Sequence, residues 1–126
     1  IEIHPFFQQN IALRVMEDYG VVPQAWGPVS AAQKDIFHPK TLAKIAGRHG
    51  KTTAQVILRW HLQRKIPVIP KTVHQERMIE NLNVFDFELT GKEMESIAGM
   101  DIGHSEIIDH HCFSTARQLN SVKIHA

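Results

Sequence analysis

The chain carries one cysteine, Cys112, and one tyrosine, Tyr19, in 126 residues. A single thiol permits no internal disulfide, so the fold rests on packing and hydrogen bonds, and a reducing cytoplasm suits it. No apolar run approaches the roughly 18 residues that a membrane span requires. An excess of one charge sign is missing too: 14 Lys and Arg against 13 Asp and Glu leave a net charge of +1. That balance supplies no basic field to favour nucleic acid or an anionic membrane surface. Repeats of fixed period and low-complexity tracts are also lacking. What is present is 43% apolar and 21% charged residues, an ordinary globular composition with length for at most one domain. The chain opens on Ile1 and reads as a strand at once, which predicts a piece of a longer protein.

Periodicity places the elements. Residues 1–3 read as a short strand, cut off by His4-Pro5 because proline biases its predecessor away from helix. Residues 8–19 read as a helix with Ile11, Val15, Met16 and Tyr19 on one face, stopped by Gly20. Residues 21–25 follow as a strand, Trp26-Gly27-Pro28 breaks it, and 29–38 form a loop. Pro39 opens a second helix with Leu42, Ile45, Ala46 and His49 on its inner stripe, ended by Gly50. Thr52-Thr53-Ala54-Gln55 is a capping box for a third helix running to about residue 65 and carrying Ile57, Leu58, Trp60 and Leu62. Residues 67–69 form a third strand, 75–82 a fourth helix. Thr90-Gly91-Lys92-Glu93 caps a fifth helix that ends near Gly99, with Leu89 and Met94 as its staple. Residues 101–126 show no clear period.

Strands alternating with helices predict an α/β fold with a parallel sheet, its helices packed on it and all carboxyl ends on one side. His4-Pro5, Trp26-Gly27 and Lys71-Thr72 then share the edge where such folds bind ligands. Three strands cannot close a barrel, for which an eight-unit ring takes about 250 residues. The chain is therefore either a small open sheet or the last three strand–helix units of a barrel.

The segment from Ile69 to Asn81 carries the chemistry. A strand ends at Pro70, Lys71 and Thr72 stand at its carboxyl edge, and Arg77 and Asn81 fall on the first turns of a helix. A helix start offers orphan N–H groups and positive potential. Lys71 and Arg77 add charge-assisted donors, Arg77 as a two-pronged fork. The combination predicts a phosphorylated ligand.

Several segments share one resemblance. Glu2-Ile3-His4-Pro5-Phe6-Phe7-Gln8-Gln9 resembles the sixth strand of the aldo-keto reductase barrel. The run from Gly50-Lys51-Thr52-Thr53-Ala54-Gln55 to Arg64 is similar to that family's seventh outer helix. Ile69-Pro70-Lys71-Thr72-Val73 with Arg77, Glu80 and Asn81 resembles its NADP-binding signature, and residues 83–89 the segment after it. The likeness runs from residue 1 to about 101 in one register. It implies the C-terminal three strand–helix units of a (β/α)8 TIM barrel, with residues 1–100 as partial barrel and 101–126 as a tail on the substrate side. It further implies reduction of aldehydes and ketones to alcohols with NADPH, with a small carbonyl substrate and the missing N-terminal half of the barrel as partners; the lone thiol suits a cytoplasmic protein.

The same resemblance implies site roles. Lys71, Thr72 and Arg77 match positions that hold the adenosine 2′-phosphate, with Val73 beside them. Asn81 matches an adenine contact and Glu80 a neighbour of it. Trp26 falls where the family usually has a tyrosine stacked on the nicotinamide, and Gly27, Pro28, Val29 and Ser30 match a loop on the pyrophosphate. Cations at this edge favour NADP over NAD, since a bare ribose would call for an acidic residue. The family's catalytic Asp, Tyr, Lys and His have no match here, so the chain alone is expected to be inactive. The alternatives are a non-catalytic nucleotide-binding or interaction module from the same barrel, and a free-standing three-strand domain for another phosphate ligand. His4 reads as a polar residue satisfied by neighbouring backbone, and His38, His49, His61 and His74 as surface or capping residues. Asp109-His110-His111-Cys112 lacks the spacing and second ligand pair of a zinc site.

Overall fold

A computed structural model describes residues 1–29, 39–105, 107–108 and 112–122. Its best-buried element is α3, Thr53–Gln63, and the reason starts at residue 52. The Thr52 hydroxyl accepts from Gln55 N at 3.3 Å while the Gln55 side chain accepts from Thr52 N at 2.9 Å, so the expected capping box forms. Beyond it Val56, Ile57, Leu58 and Trp60 are buried. α2, Lys40–His49, follows Pro39 and is closed by Gly50 at φ 61, a conformation glycine adopts without penalty. Its Leu42, Ile45 and Ala46 face inward, as expected. α5, Gly91–Ala98, starts at a second capping box, Thr90 with Glu93. The core joins Ile3, Ala25 and Ile66 to α2, α3, Leu89 and Ile97.

Glu93 also ties α5 to α2. Its carboxylate accepts from His49 Nε2 at 3.0 Å and from Thr90 N at 2.9 Å. Burial opposes its charge, but the Thr90 amide, His49 and the Thr90 hydroxyl outweigh that and lower its pKa from 4.5 to about 2.

The three expected strands appear as extended segments joined by single parallel bridges, Glu2 to Trp26 and Ala25 to Val68. Ile3 N donates to Trp26 O at 3.2 Å, Trp26 N to Ile1 O at 2.7 Å and Ala25 N to Pro67 O at 2.9 Å. The parallel order matches the expectation; regular strands over 1–3, 21–25 and 67–69 do not form among the described residues. Pro23, Pro67 and Pro70 remove donors that longer ladders would need. After the first segment a turn reverses the chain, with His4 and Phe7 exchanging both backbone bonds.

Three further expectations are corrected. α1, Asn10–Asp18, forms, but Ile11, Val15 and Tyr19 are exposed, Tyr19 by 82%. Leu13 is the residue that packs on the core, so α1 is rotated relative to the stripe its periodicity suggests. His61 is fully buried, not on the surface or a cap. Its Nδ1 lies 2.8 Å from Ile57 O and its Nε2 3.0 Å from Ile3 O. Burial outweighs these two carbonyls and lowers its pKa from 6.5 to about 4. The third correction is α6, Phe113–Ser121, in the stretch read as aperiodic. Phe113 and Leu119 on it are exposed, so no inward stripe announces the helix in the sequence. His38 and residues 109–111 lie outside the described residues.

Candidate functional site

Because the extended segments run parallel, Trp26-Gly27 and Pro70-Lys71 reach the same edge. There they border a groove of about 800 Å³. Trp26, Gly27, Pro28 and Val29 form one side; Lys71, Thr72, Arg77, Glu80 and Asn81 form the other. Residues separated by up to 55 positions in sequence are thus brought together. Two expected site residues are not: Val73 stands outside the groove wall, 72% exposed, and Ser30 lies outside the described residues.

α4, Gln75–Leu82, supplies the far wall. The Thr72 hydroxyl accepts from His74 N at 3.1 Å, which shapes the turn into the helix. No side chain caps α4, so its first N–H groups are available to an anion. Lys71 and Arg77 are exposed, and among the described residues neither has a hydrogen bond or ion pair. Glu80, three residues from Arg77, is instead engaged by the Thr52 hydroxyl. Among the described residues Glu80 is the one carboxylate that borders the groove, and the N-cap of α3 holds it, so neither cation is paired with it.

Sequence reasoning missed the start of α3. Thr52, Thr53 and Ala54 also border the groove, together with Ile69 and Pro70. The capping box marked a helix N-terminus at Thr52; only proximity to α4 was unreadable. Gln55 supplies that proximity, its amide donating to Glu80 O and Asn83 O at 3.0 Å each. The start of α3, one side of α4 and two cations therefore border one hollow whose opposite rim is Trp26, half exposed. Such a site suits an elongated anionic ligand with an aromatic end, charge at α4 and ring stacking at Trp26.

His4 is fully buried at the other face of the edge. Its Nε2 meets Glu2 Oε1 at 2.9 Å, so a carboxylate rather than backbone satisfies the ring, and its Nδ1 has no partner among the described residues. His49 is held by Glu93, and His74 is an exposed N-cap residue. Among the described residues no cluster of three metal-ligating side chains occurs, and no helix is long and apolar enough to cross a membrane.

Parallel extended segments with helices packed on them, and a groove at their carboxyl edge, are the arrangement shared by strand–helix barrels and open α/β sheets. The sequence profile described as the Aldo/keto reductase family matches residues 1–102, and the chain belongs to that family. It is 42% identical over 103 residues to an aldo-keto reductase of Mycolicibacterium smegmatis, covering 82% of this chain and 37% of the relative. With the morphine 6-dehydrogenase of Pseudomonas putida it shares 40% identity over 114 residues, 82% of this chain and 38% of that one. A crystallised variant of Gox0644 in complex with NADPH superposes with a TM-score of 0.77 at 40% identity, covering 80% of this chain and 36% of that structure. The chain thus spans under two-fifths of the length of these relatives.

Proposed function

We propose that this chain is the cofactor-binding C-terminal part of an NADP(H)-dependent reductase that converts aldehydes or ketones to alcohols. The single observation that carries the reading is the pair Lys71 and Arg77, on one groove with Trp26 and without a carboxylate partner among the described residues. The donor set fits the cofactor: Lys71, Thr72 and Arg77 would hold the adenosine 2′-phosphate and Asn81 the adenine, with Glu80 beside it. Trp26 would support the nicotinamide, and Gly27 to Ser30 the pyrophosphate. The bound dinucleotide supplies the hydride. This chain's residues bind and orient it, and binding energy spent far from the reacting carbon places that carbon against the substrate.

Residues 1–100 then form the last three strand–helix units of the barrel, and 101–126 a tail on the substrate side. That placement is supported by the Ser105 hydroxyl donating to Glu2 at 2.7 Å. The groups that protonate the carbonyl belong to the rest of the barrel, so the isolated chain is expected to bind cofactor weakly and turn nothing over.

The test is Arg77→Ala in the whole protein. Loss of a charge-assisted bond of about 1.5–3 kcal/mol raises the NADPH dissociation constant about 10- to 150-fold and leaves that for NADH nearly unchanged. An equal loss for both dinucleotides would remove the 2′-phosphate role.

A further inference from the structure

Buried Glu2 and His4 and half-buried Ser105 form a polar cluster that the proposed cofactor site does not use. Glu2 is 7% exposed and His4 fully buried. The Glu2 carboxylate accepts from His4 Nε2 at 2.9 Å on one oxygen and from the Ser105 hydroxyl at 2.7 Å on the other. Ser105 Oγ in turn accepts from Ile107 N at 3.2 Å and Ile108 N at 3.1 Å. One hydroxyl therefore donates once and accepts twice, using its full capacity.

The consequence reaches the groove. Ile107 Cδ1 lies 3.0 Å from the point where a Cβ on Gly27 would stand, and Gly27 has φ +60. Only a residue without a side chain fits there without displacing Ile107. Glu2 is also bridged through the backbone to Trp26, whose N–H donates to Ile1 O at 2.7 Å. The Trp26-Gly27 turn is thus gripped twice, by the first extended segment and by Ile107. Glu2 belongs to the first grip and anchors the second. A second tie keeps the approaching chain in place: Ile102 N donates to Phe6 O at 2.8 Å, and Asp101 accepts from Gln8 N at 3.3 Å.

We propose that Glu2 and Ser105 are positioning residues, a brace that acts through Ile107 and Gly27 to fix the indole of Trp26 at the rim of the groove. The kinetic part of the proposal rests on reading Trp26 as the support for the nicotinamide; the brace itself does not. Removing it leaves the adenosine end of the groove intact, since Lys71 and Arg77 are carried by different elements. The ring platform loses its register, so turnover suffers while cofactor affinity holds.

The experiment compares Ser105→Ala and Ser105→Thr with the parent in the whole protein. Backbone amide exchange is read at Ile107 and Ile108, with the NADPH dissociation constant and the steady-state reduction of benzaldehyde. Ser105→Ala is expected to speed exchange at both amides at least tenfold, lower kcat at least threefold and leave NADPH affinity within twofold. Ser105→Thr, which keeps the hydroxyl, restores the parent values. Unchanged exchange overturns the brace. Faster exchange with unchanged kcat, or a matching loss of NADPH affinity, overturns its positioning role. Ile107→Val, which trims the methyl facing Gly27, guards against a folding defect: a smaller fall in kcat supports the proposal, and none opposes it. A parent protein that fails to bind NADPH sinks the cofactor reading instead, and amide exchange still reports on the brace.

Discussion

α3 and α4 lie side by side and are built on opposite principles. α3 buries Val56, Ile57, Leu58 and Trp60, along with Gln55 and His61. α4 buries nothing: Met78, Ile79 and Leu82 are all exposed. Yet the groove-lining side chains Arg77, Glu80 and Asn81 sit on α4. Apolar burial fixes α3 as a shelf, and polar bonds from Thr52 and Gln55 hang α4 on its edge. A helix that presents polar groups to an open groove cannot spend the same face on a core. The division of labour is a buried shelf and a polar bracket, with most folding free energy on the first.

The contrast can be broken by mutation. Trp60 is 1% exposed, with the Arg64 guanidinium 4.4 Å above its ring centre. Trp60→Ala is expected to cost about 3–5 kcal/mol, read from urea unfolding of the whole protein. A loss near zero would mean that α3 is not the shelf.

Acid offers a second probe. His61 has a folded pKa lowered from 6.5 to about 4, so between those values the unfolded chain binds a proton that the native chain does not. Stability is then intact above about pH 6.5 and declines as pH falls toward 4, on the order of 3 kcal/mol in all. Glu93, with its pKa lowered to about 2, contributes in a lower window, its stabilisation fading as pH drops from about 4.5 toward 2. Unfolding midpoints between pH 7 and 4 should fall in the parent, and His61→Gln should flatten that slope. A parent curve flat from pH 6.5 to 4 would contradict the burial argument.

The smallest effect is expected on α4. Ile79 is 65% exposed, and Ile79→Ala should change stability by no more than about 0.5 kcal/mol. A cost above about 2 kcal/mol would show that the outer face of α4 is covered in the whole protein, and would sharpen the comparison by making α4 a second shelf.

How much was legible follows from sequence separation. The capping boxes at Thr52 and Thr90 and the stop at Gly50 depend on neighbours within four residues, so the sequence carries them openly. One wall of the groove was readable because Lys71, Thr72, Arg77 and Asn81 lie within one short stretch that turns into a helix. His61 was not: one of its carbonyl partners, Ile3 O, is 58 residues away. The Glu2–Ser105 bond spans 103 residues and leaves no local trace. α1 misled because its Ile11, Val15 and Tyr19 stripe has helical spacing without telling which way it turns, and Leu13 took the core instead. The short extended segments were legible in direction and not in length, since the prolines that bound them also interrupt their ladders.

The Thr52 hydroxyl belongs to two helices at once. It closes the first turn of α3 by accepting from Gln55 N and restrains α4 by donating to Glu80. Valine would keep the shape there and silence both roles together, whereas serine would keep them. Natural variation at residue 52 should accordingly be confined to hydroxylated side chains. Any tug on the outer helix by an incoming nucleotide would be felt at the very atom that starts the inner one.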